Sequence, residues 1–389
     1  MPQFGARPEN MKVLVISHPA IQPTYQRKFE EIARYGDIRL RVVAPDTWFE
    51  NDQTLHFSGR DASDNLSFHP RKITFPGYGS RFFFTKGLAE HFREFRPDII
   101  HLEEEPWSLC ALQTIVLRRL FCPESKLIFR TSLSIPIKLK FGFVGAFIER
   151  IAFREFDHAF ILSKRAGDLL RQKGYRKGMG ISPNGVDTRM FRKMDASDLR
   201  ENLGIGEKDF VIGYVGRLLH MKGMDTLLEA FAMLDNGRLL LVGSGDYRDE
   251  MLSIAARLGI SERILLVGSV PAEDVPKYIN CMNVLVLPSI TTPGWVEFFG
   301  RVLAEAMLCR VPVIGSSSGE IPNVIGDAGL VFQEGDAEDL NDKLTMLMQN
   351  PELRESLIEK GHERATSLYT WEAIARDTYE TYQLLARTD

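Results

Sequence analysis

Short apolar runs alternate with helix-length amphipathic stretches along most of the chain, and this alternation restricts the possible folds more than any other feature. The run at residues 283–288 carries no charge, which is typical of a strand buried on both faces of a parallel sheet. Strands of this kind joined by helices predict an α/β fold built from βαβ units. The predicted strands cover residues 11–17, 38–44, 98–102, 126–131, 158–161, 210–215, 238–242, 264–267, 284–287 and 311–314.

The alternation is interrupted between residues 182 and 209, where a Pro- and Gly-containing turn and a charged passage separate two strand–helix series. A chain of 389 residues with 44% hydrophobic content is long enough for two core-bearing domains. We therefore predict two Rossmann-like, doubly wound domains, at residues 1–190 and 205–365. Helices are predicted at residues 25–35, 85–95, 107–120, 147–156, 164–173, 224–234 and 371–386.

Charge and cysteine content narrow the function classes. Residues 1–190 hold 29 Lys and Arg against 21 Asp and Glu, and the remainder holds 19 against 31. The basic half suggests an anionic partner, or ordinary surface variation. Nucleic acid is not predicted, because no zinc-finger spacing, basic repeat or recognition helix is present. The four cysteines are far apart and read as reduced core residues. Without an apolar leader or a run long enough to span a bilayer, the chain is expected to be cytoplasmic.

Two carboxylates follow the strand at residues 284–287. Glu297 lies on a Gly- and Pro-rich loop, and Glu305 lies eight residues later on the second turn of a predicted helix. Ligands of parallel sheets collect at the carboxyl ends of strands, where helix N-termini attract phosphate. A carboxylate beside such a site is better suited to hydroxyl groups, so the pair predicts a phosphate-bearing, polyhydroxylated ligand. Alternatively, both acids are simply solvated.

Two cations lie on the loop after the strand at residues 210–215. Arg217 and Lys222, flanked by Gly216 and Gly223, are placed to approach one diphosphate from opposite sides. The alternative is a pair of solvated loop charges. Gly243 follows the next strand and would support the same pocket, or it serves turn geometry alone. Val270, after the strand at residues 264–267, is expected to offer main-chain groups to a base.

Several motifs in order resemble the retaining, GT-B-fold glycosyltransferases of family 4, also described as glycosyl transferases group 1. The resemblance is strong over residues 180–335 and weaker elsewhere. The motifs are Gly216-Arg217 with Lys222-Gly223, the Glu297/Glu305 pair with Phe299-Gly300 between them, Gly319-Glu320-Ile321-Pro322, Gly326-Asp327-Ala328-Gly329 and Pro183-Asn184-Gly185-Val186-Asp187.

The resemblance implies transfer of a sugar from a nucleotide diphosphate sugar to a hydroxyl acceptor, with retention of configuration and without a metal or other cofactor. It implies two domains facing across a cleft, with a terminal helix at residues 371–389 that crosses back to the amino-terminal domain. Arg217 and Lys222 would neutralise the leaving diphosphate, and Glu305 would bind the ribose hydroxyls. Glu297 would contact the donor sugar, and the amides of Phe298, Phe299 and Gly300 would approach sugar and phosphate. Fixed cations stabilise a leaving group without a metal, and the chain contains no Asp-x-Asp motif.

The amino-terminal half departs from the common pattern of this family. The loop after the first strand reads Ser17-His18-Pro19-Ala20 in place of a Gly-rich loop. His18 is our candidate for an active-site group, against the alternative of a structural histidine. Glu103, Glu104 and Glu105 follow another strand end and are predicted, with Arg130, to contact acceptor hydroxyls. A helix-initiating acidic turn is the alternative for the three acids.

Two apolar and basic segments suggest peripheral contact with the inner face of a membrane, to reach a lipid-linked acceptor. They are residues 135–153 and residues 81–86. Core helix packing with a mobile acceptor loop is the alternative. The sequence leaves one other function class open and disfavours another. A nucleotide-sugar-binding protein without turnover remains open, whereas a dinucleotide-dependent oxidoreductase is disfavoured because no G-x-G-x-x-G follows the first strand.

Overall fold

The computed structural model describes residues 10–50, 53–59, 63–133, 135 and 142–387. The chain divides into two compact units. The first unit comprises Met1–Pro183 together with Trp371–Asp389, and the second comprises Asn184–Thr370. Each unit holds one parallel sheet with helices in its connections, as the alternation of apolar runs predicts.

The first unit contains a seven-stranded parallel sheet and a short antiparallel hairpin. Its strands are β1 (Met11–Ile16), β2 (Ile38–Pro45), β3 (Thr47–Glu50), β4 (Gln53–His56), β5 (Leu66–Arg71), β6 (Ile99–Leu102), β7 (Lys126–Thr131), β8 (His158–Ile161) and β9 (Gly178–Ile181). Its helices are α1 (Pro23–Ala33), α2 (Leu88–Phe95), α3 (Leu109–Phe121), α4 (Phe143–Glu155), α5 (Lys164–Gln172) and, from the end of the chain, α14 (Trp371–Ala386). The sheet order is β5-β2-β1-β6-β7-β8-β9, so the winding direction reverses between β1 and β6.

Alternate residues of β1 pack into two different cores, one on each face of the first sheet. Leu14 and Ile16 face a core closed by α2, α3 and α5. Val13 and Val15 face a core that includes Phe29 of α1 and Tyr379, Tyr382 and Ala375 of α14. The predicted return of the terminal helix to the amino-terminal domain is therefore confirmed, and this helix covers part of one sheet face.

The second unit contains a six-stranded parallel sheet and one large core. Its strands are β10 (Val211–Val215), β11 (Arg238–Val242), β12 (Ile264–Gly268), β13 (Val284–Leu287), β14 (Val313–Ser316) and β15 (Leu330–Phe332). Its helices are α6 (Ser197–Asn202), α7 (Met224–Ala232), α8 (Arg248–Arg257), α9 (Val275–Asn280), α10 (Arg301–Leu308), α11 (Ile321–Ile325), α12 (Ala337–Gln349) and α13 (Pro351–Leu368). The order β12-β11-β10-β13-β14-β15 places the reversal between β10 and β13.

Most predicted elements are confirmed, and the differences have local causes. The strand predicted at residues 311–314 begins two residues later, after Pro312, which has no amide to donate to the sheet. The helix predicted at residues 85–95 begins at Leu88, because Gly87 adopts φ 82° and stops the helical backbone there. All four cysteines are buried and free, as expected of reduced core residues.

Candidate functional site

The candidate donor site of the second unit lies where the sheet order reverses. Neighbouring parallel strands β10 and β13 are followed by loops that leave in different directions, and such a crevice is the usual ligand position in doubly wound sheets. The loop after β10 carries Arg217 and Lys222, and the loop after β13 carries Glu297. The Ile290 amide donates to the Met221 carbonyl over 2.9 Å and ties the two loops together.

Glycines allow these loops to pack backbone against backbone. A Cβ atom at position 243 would lie 1.9 Å from the Gly216 carbonyl oxygen, and one at position 223 would lie 2.0 Å from the Pro288 carbonyl oxygen. Gly223 also has φ 68°, which a residue with a Cβ adopts only at a cost. Gly223 and Gly243 are thus required by close approach of the loops, and turn geometry alone does not explain Gly243.

Lys222 and Glu297 form an ion pair inside the second unit. Lys222 Nζ lies 2.5 Å from Glu297 Oε2, and the Ser289 hydroxyl donates to the same oxygen over 2.8 Å. The exposed fractions of the two side chains are 15% and 10%. Lys222 Nζ also lies 4.8 Å from the centre of the Trp295 ring, within range of a cation–π interaction. The alternative of a solvated charge is therefore wrong for Lys222 and for Glu297.

Arg217 differs from Lys222 in being exposed. Its side chain makes no hydrogen bond or ion pair with the residues that the structure describes, whereas its main-chain carbonyl accepts a 2.7 Å hydrogen bond from the buried Tyr214 hydroxyl. The loop backbone is thus anchored while the guanidinium faces solvent. Arg217 and Lys222 thus lie in different environments, because Lys222 is already paired with Glu297 whereas Arg217 is exposed.

Glu305 is buried on the second turn of α10, as its spacing predicts. Arg301 Nε donates to Glu305 Oε1 over 2.8 Å. Burial raises the pKa of Glu305, and the charge and hydrogen bond of Arg301 only partly oppose this. A carboxylate that is 6% exposed with a single cationic partner is not a solvated helix residue, so that alternative is wrong.

The residues predicted to approach a donor through their main chain occupy different environments. Phe298 is 37% exposed, whereas Phe299 is buried against the Tyr369 ring. Gly300 directly precedes α10 with φ 73°. Val270 is half-buried beyond the end of β12. These residues line the loop edge of the sheet, and their main-chain roles remain predictions.

A second cluster lies at the reversal point of the first unit, between β1 and β6. Glu103 Oε1 accepts a 2.7 Å hydrogen bond from Lys28 Nζ, and Glu103 Oε2 accepts one of 2.8 Å from the Ser17 hydroxyl. Burial raises the pKa of Glu103, but the positive charges of Lys28, His101 and Arg130 outweigh it and hold that pKa well below its usual value. Glu103 is therefore a carboxylate that is largely shielded from water and paired with the buried ammonium of Lys28.

Glu104 holds His18. A Glu104 carboxylate oxygen lies 2.8 Å from His18 Nδ1, and the His18 amide donates to Glu104 Oε1 over 2.8 Å. The His18 ring stacks on Trp48 with centroids 4.6 Å apart and meets the edge of Phe82 at 6.2 Å. Burial lowers the pKa of His18, but the charge and hydrogen bond of Glu104, with the charges of Glu103 and Glu50, raise it above 6.5 overall.

Glu105 joins the same edge to the next strand. Its carboxylate accepts hydrogen bonds from the Thr131 hydroxyl and from the amide and hydroxyl of Ser132. Burial raises the pKa of Glu105 despite these bonds. Arg130 donates to the Ser182 carbonyl over 3.3 Å. All three carboxylates are engaged within the first unit, and α3 begins only at Leu109 with Ser108 as its N-cap, so the alternative of a helix-initiating acidic turn is wrong.

Sequence reasoning missed three residues of these clusters. Trp48 belongs to the unpredicted β3–β4 hairpin, which the aromatic and β-branched run Thr47-Trp48-Phe49 could have indicated. Lys28 is 3% exposed on α1, beside Phe29. A lysine next to the apolar face of a helix could have indicated that its side chain is buried. Ser289 follows β13 and carried no signal that distinguishes it from other loop serines.

The segments predicted to contact a membrane are only partly borne out as exposed surfaces. Phe143 and Phe147 of α4 are 85% and 56% exposed, whereas Phe82 and Phe84 are buried in the first unit's core. The aromatic part of the prediction for residues 81–86 is therefore wrong, because two of those rings are structural. Residues 136–141 lie outside the described residues. Within the described ranges, no helix is both long and apolar enough to cross a bilayer.

No group of three or more His, Cys, Asp or Glu side chains is placed to hold a metal ion among the described residues. The two sheet edges carry side chains that form ion pairs and hydrogen bonds. The second unit offers one exposed guanidinium, one paired ammonium and two buried carboxylates, and the first unit offers a histidine bound to a carboxylate. Such groups can bind a phosphate and hydroxyl groups.

Comparison with known proteins agrees with this arrangement. Residues 195–364 match the family described as glycosyl transferases group 1. The chain is 29% identical over 211 residues to N-acetyl-alpha-D-glucosaminyl L-malate synthase of Bacillus anthracis, which covers 53% of this chain and 54% of that protein. It is 30% identical over 202 residues to a GDP-mannose-dependent monoacylated alpha-(1-6)-phosphatidylinositol monomannoside mannosyltransferase of Corynebacterium glutamicum, covering 49% of this chain and 52% of that one. The chain thus spans about half the length of these curated relatives.

Solved structures resemble the chain over nearly its whole length. Sucrose-phosphate synthase from Thermosynechococcus elongatus superposes with a TM-score of 0.71 and 22% identity, covering 97% of this chain and 99% of that one. Anabaena HepE in complex with UDP gives a TM-score of 0.71 with 18% identity, covering 95% and 99%. At these identities the likeness establishes the fold. Residues 195–364 are therefore similar to glycosyl transferases group 1, and the two Rossmann-like domains of the chain have the GT-B fold.

Proposed function

We propose that this protein is a retaining glycosyltransferase of family 4 that moves a sugar from a nucleotide diphosphate sugar to a hydroxyl acceptor. The observation that carries the proposal is the cluster at the reversal point of the second unit. The loops after β10 and β13 and helix α10 carry the Lys222–Glu297 ion pair, the exposed Arg217 and the buried Glu305. The match of this unit to the group 1 family supports the same conclusion.

In this proposal the diphosphate lies between the loop after β10 and the start of α10. Arg217 is exposed and has no anionic partner among the described residues, so it provides a ready charge for a phosphate. Lys222 is paired with Glu297 and would share its charge between that carboxylate and the diphosphate. The amides of Phe298, Phe299 and Gly300 at the start of α10 add partial positive charge. Together they stabilise the negative charge that develops as the glycosidic bond breaks.

The two acidic residues serve hydroxyl groups in this scheme. Glu305 has one oxygen bonded to Arg301 and would accept hydrogen bonds from the ribose. Glu297 is held by Lys222 and Ser289 and would contact the donor sugar. Gly216 and Gly243 allow the donor to approach the backbone, and Val270 offers main-chain groups to the base. His18 of the first unit would serve as an active-site group during transfer of the sugar.

Transfer in this scheme needs no metal ion or other cofactor. The cationic side chains of Arg217 and Lys222 and the helix amides supply the stabilising charge that a metal would otherwise supply. Product stereochemistry tests the retaining assignment directly. The anomeric configuration of the product, measured by NMR soon after mixing, is expected to equal that of the donor, and an inverted product would overturn the assignment.

The acceptor is proposed to carry a hydroxyl group in a glycolipid, a polysaccharide or a small metabolite. One relative is named for transfer to a phosphatidylinositol mannoside, which favours a lipid-linked acceptor. We propose that the exposed face of α3 and α4 lies on the anionic inner face of a membrane. Phe143, Phe147 and Leu120 are exposed there, and Arg150 and Arg154 lie on the same two-helix layer. Ile148 and Ala152 of α4 face the interior, so the helix is amphipathic.

The alternative function is a nucleotide-sugar-binding protein without turnover. The experiment that separates the two mixes the protein with UDP-, GDP- and ADP-linked sugars and a panel of methyl glycosides, inositol and alkyl glycosides. Free nucleotide diphosphate and a glycosylated product are expected for one pair in the presence of excess chelator. Donor binding without product across the panel would favour the alternative, and loss of activity with chelator would overturn metal independence.

A further inference from the structure

The His18 ring is fixed on three sides within the first unit. Nδ1 faces the Glu104 carboxylate, one ring face stacks on Trp48, and Phe82 meets the ring edge. The His18 amide is bonded to the same carboxylate, so main chain and side chain are held by a single residue. The side chain of Glu104 is 2% exposed, whereas that of His18 is 31% exposed. A buried acid thus orients a histidine that still reaches solvent.

Nε2 is the ring nitrogen left for a ligand. Nδ1 is taken by Glu104, and no hydrogen bond from Nε2 to the described residues is present. His18 follows β1 at the reversal point of the first sheet, where ligands of doubly wound folds bind. A carboxylate bound to one imidazole nitrogen fixes the tautomer and the direction of the other nitrogen.

The charged groups around His18 favour its cationic form. Glu104 and Glu103 face it from the loop after β6, and Glu50 faces it from β3. Glu103 is itself paired with Lys28, so its influence on His18 is weakened. Trp48 and Phe82 contribute no charge. The raised pKa of His18 agrees with this balance. An imidazolium offers Nε2–H as a charge-assisted donor, which forms shorter and stronger hydrogen bonds than a neutral one.

We propose that Glu104 is a positioning residue that directs His18 Nε2–H towards an oxygen atom of the acceptor, and that Glu104 itself does not contact the acceptor. This inference rests on the proposed glycosyl transfer, and it replaces the acceptor-binding role that the sequence predicts for Glu104. Trp48 assists by fixing the ring plane. The occupant of the site is therefore an acceptor whose reacting or neighbouring oxygen accepts a hydrogen bond.

The test uses the full chain and the donor–acceptor pair that turns over in the product assay. For wild type, the KM for the acceptor is expected to rise as pH increases through the pKa of His18, because the donor proton on Nε2 is then lost. Glu104→Gln keeps an oxygen for the Nδ1 contact but removes the charge, so the inflection is expected to move to lower pH. His18→Ala is expected to raise the KM about tenfold or more, as for loss of a hydrogen bond to a charged group.

Two further variants separate positioning from a merely structural role. His18→Gln retains a neutral N–H donor without titrating, so its KM is expected to lie between the wild-type low-pH value and that of His18→Ala, with no inflection. Glu90→Gln on α2 is the control, since Glu90 is an exposed acid of the first unit outside the cluster. It is expected to leave the profile unchanged. An inflection that persists in His18→Gln, or one that Glu104→Gln does not move, would overturn the inference.

An NMR titration distinguishes a failure of this inference from a failure of the proposed function. Imidazole nitrogen signals of ¹⁵N-histidine-labelled protein, with His18 assigned from His18→Gln, are expected to titrate above pH 6.5 in wild type and at lower pH in Glu104→Gln. If no donor–acceptor pair turns over while this difference is observed, the glycosyl transfer proposal has failed, and with it the acceptor contact. If turnover occurs but the His18 titration is the same in both proteins, the positioning role of Glu104 alone has failed.

Discussion

Lys222 Nζ and Glu297 Oε2 lie 2.5 Å apart on loops that follow two adjacent strands of the second sheet. The pair joins residues 75 positions apart in sequence and is largely shielded from water. An ion pair in such a position is costly to break by removing one partner, because the other charge is then left without compensation. The pair is therefore a structural element of the loops as well as a candidate part of the donor site.

A double-mutant cycle tests this structural role. Lys222→Met and Glu297→Gln are each expected to lower the free energy of unfolding of the second unit by about 2–4 kcal/mol. The double variant is expected to lose less than the sum, with a coupling of about 1 kcal/mol or more, because neither charge is then unpaired. Urea denaturation followed by circular dichroism gives the values. Strictly additive losses would mean that the pair does not contribute as a unit.

Arg217 is expected to matter for turnover and not for stability. Its guanidinium is exposed and has no ion pair with the described residues, so Arg217→Ala should leave the melting temperature within about 1 °C. Loss of one charge from the leaving-group site is expected to reduce kcat about 10²- to 10³-fold. Arg257→Ala, an exposed arginine at the end of α8, is the matched control and is expected to retain full activity. Wild-type turnover in Arg217→Ala would place the diphosphate elsewhere.

The buried carboxylate of Glu305 is expected to lower the stability of the second unit and to strengthen donor binding. Its pKa is raised by burial, so its contribution to stability is fully present only at low pH and is lost as pH rises through the folded-state pKa. Glu305→Gln keeps an acceptor for Arg301 Nε without the buried charge. At pH 7 the variant is expected to melt about 2 °C higher, which for a unit of this size is about 1 kcal/mol.

The same Glu305→Gln variant is expected to bind the nucleotide about tenfold more weakly, because hydrogen bonds from hydroxyls to a carboxylate are stronger than those to an amide. Isothermal titration calorimetry measures this change, with Glu229→Gln on the exposed side of α7 as control. The gain in melting temperature should diminish as the pH falls below about 4.3, the usual pKa of an unfolded glutamate, because Glu305 then becomes protonated in both states. An unchanged nucleotide affinity would remove its role at the ribose.

Tyr382 anchors α14 to the first sheet and gives a stability prediction confined to one unit. Its hydroxyl lies 2.6 Å from Nδ1 of the buried His101, and burial with the charge of Lys28 lowers the pKa of His101. Tyr382→Phe leaves that nitrogen without its partner in the interior and is expected to cost about 1–3 kcal/mol. Differential scanning calorimetry should show the loss in the transition of the first unit only. A shift of both transitions would indicate that the two units do not unfold independently.

Membrane contact by the α3–α4 face is tested by sedimentation with liposomes. Wild type is expected to bind vesicles that contain phosphatidylserine more strongly than vesicles of phosphatidylcholine alone. Replacing Phe143 and Phe147 by Ser removes two exposed rings and is expected to reduce binding several-fold without loss of stability. Met346→Ser, an exposed apolar residue of the second unit, serves as control. Binding that does not depend on anionic lipid would contradict the proposal.

The sequence predicts elements that are determined by neighbouring residues. It does not predict contacts between residues that are far apart in the chain. The predictions of the strands Lys126–Thr131 and Val284–Leu287 are confirmed because their apolar runs, residues 127–129 and 284–287, are typical of strands buried in parallel sheets. Glu297 and Glu305 were identified from their position after such a strand. The hydrogen-bond partners of the candidate site residues could not be predicted in the same way. Nothing in the neighbourhood of Glu104 indicates that it binds His18, which lies 86 residues earlier, because that contact depends on β1 and β6 being adjacent.

The placement of α14 has a consequence for how the protein is made. The first unit is assembled from two stretches of chain separated by the whole of Asn184–Thr370, whereas the second unit is continuous. During synthesis on a ribosome the second unit can therefore complete its core first. One face of the first sheet, which includes Val13 and Val15, stays uncovered until Tyr379 and Tyr382 have been synthesised. During that interval the uncovered face is an apolar surface that a chaperone would have to shield, and the slowest folding phase of the molecule should be the docking of this final helix.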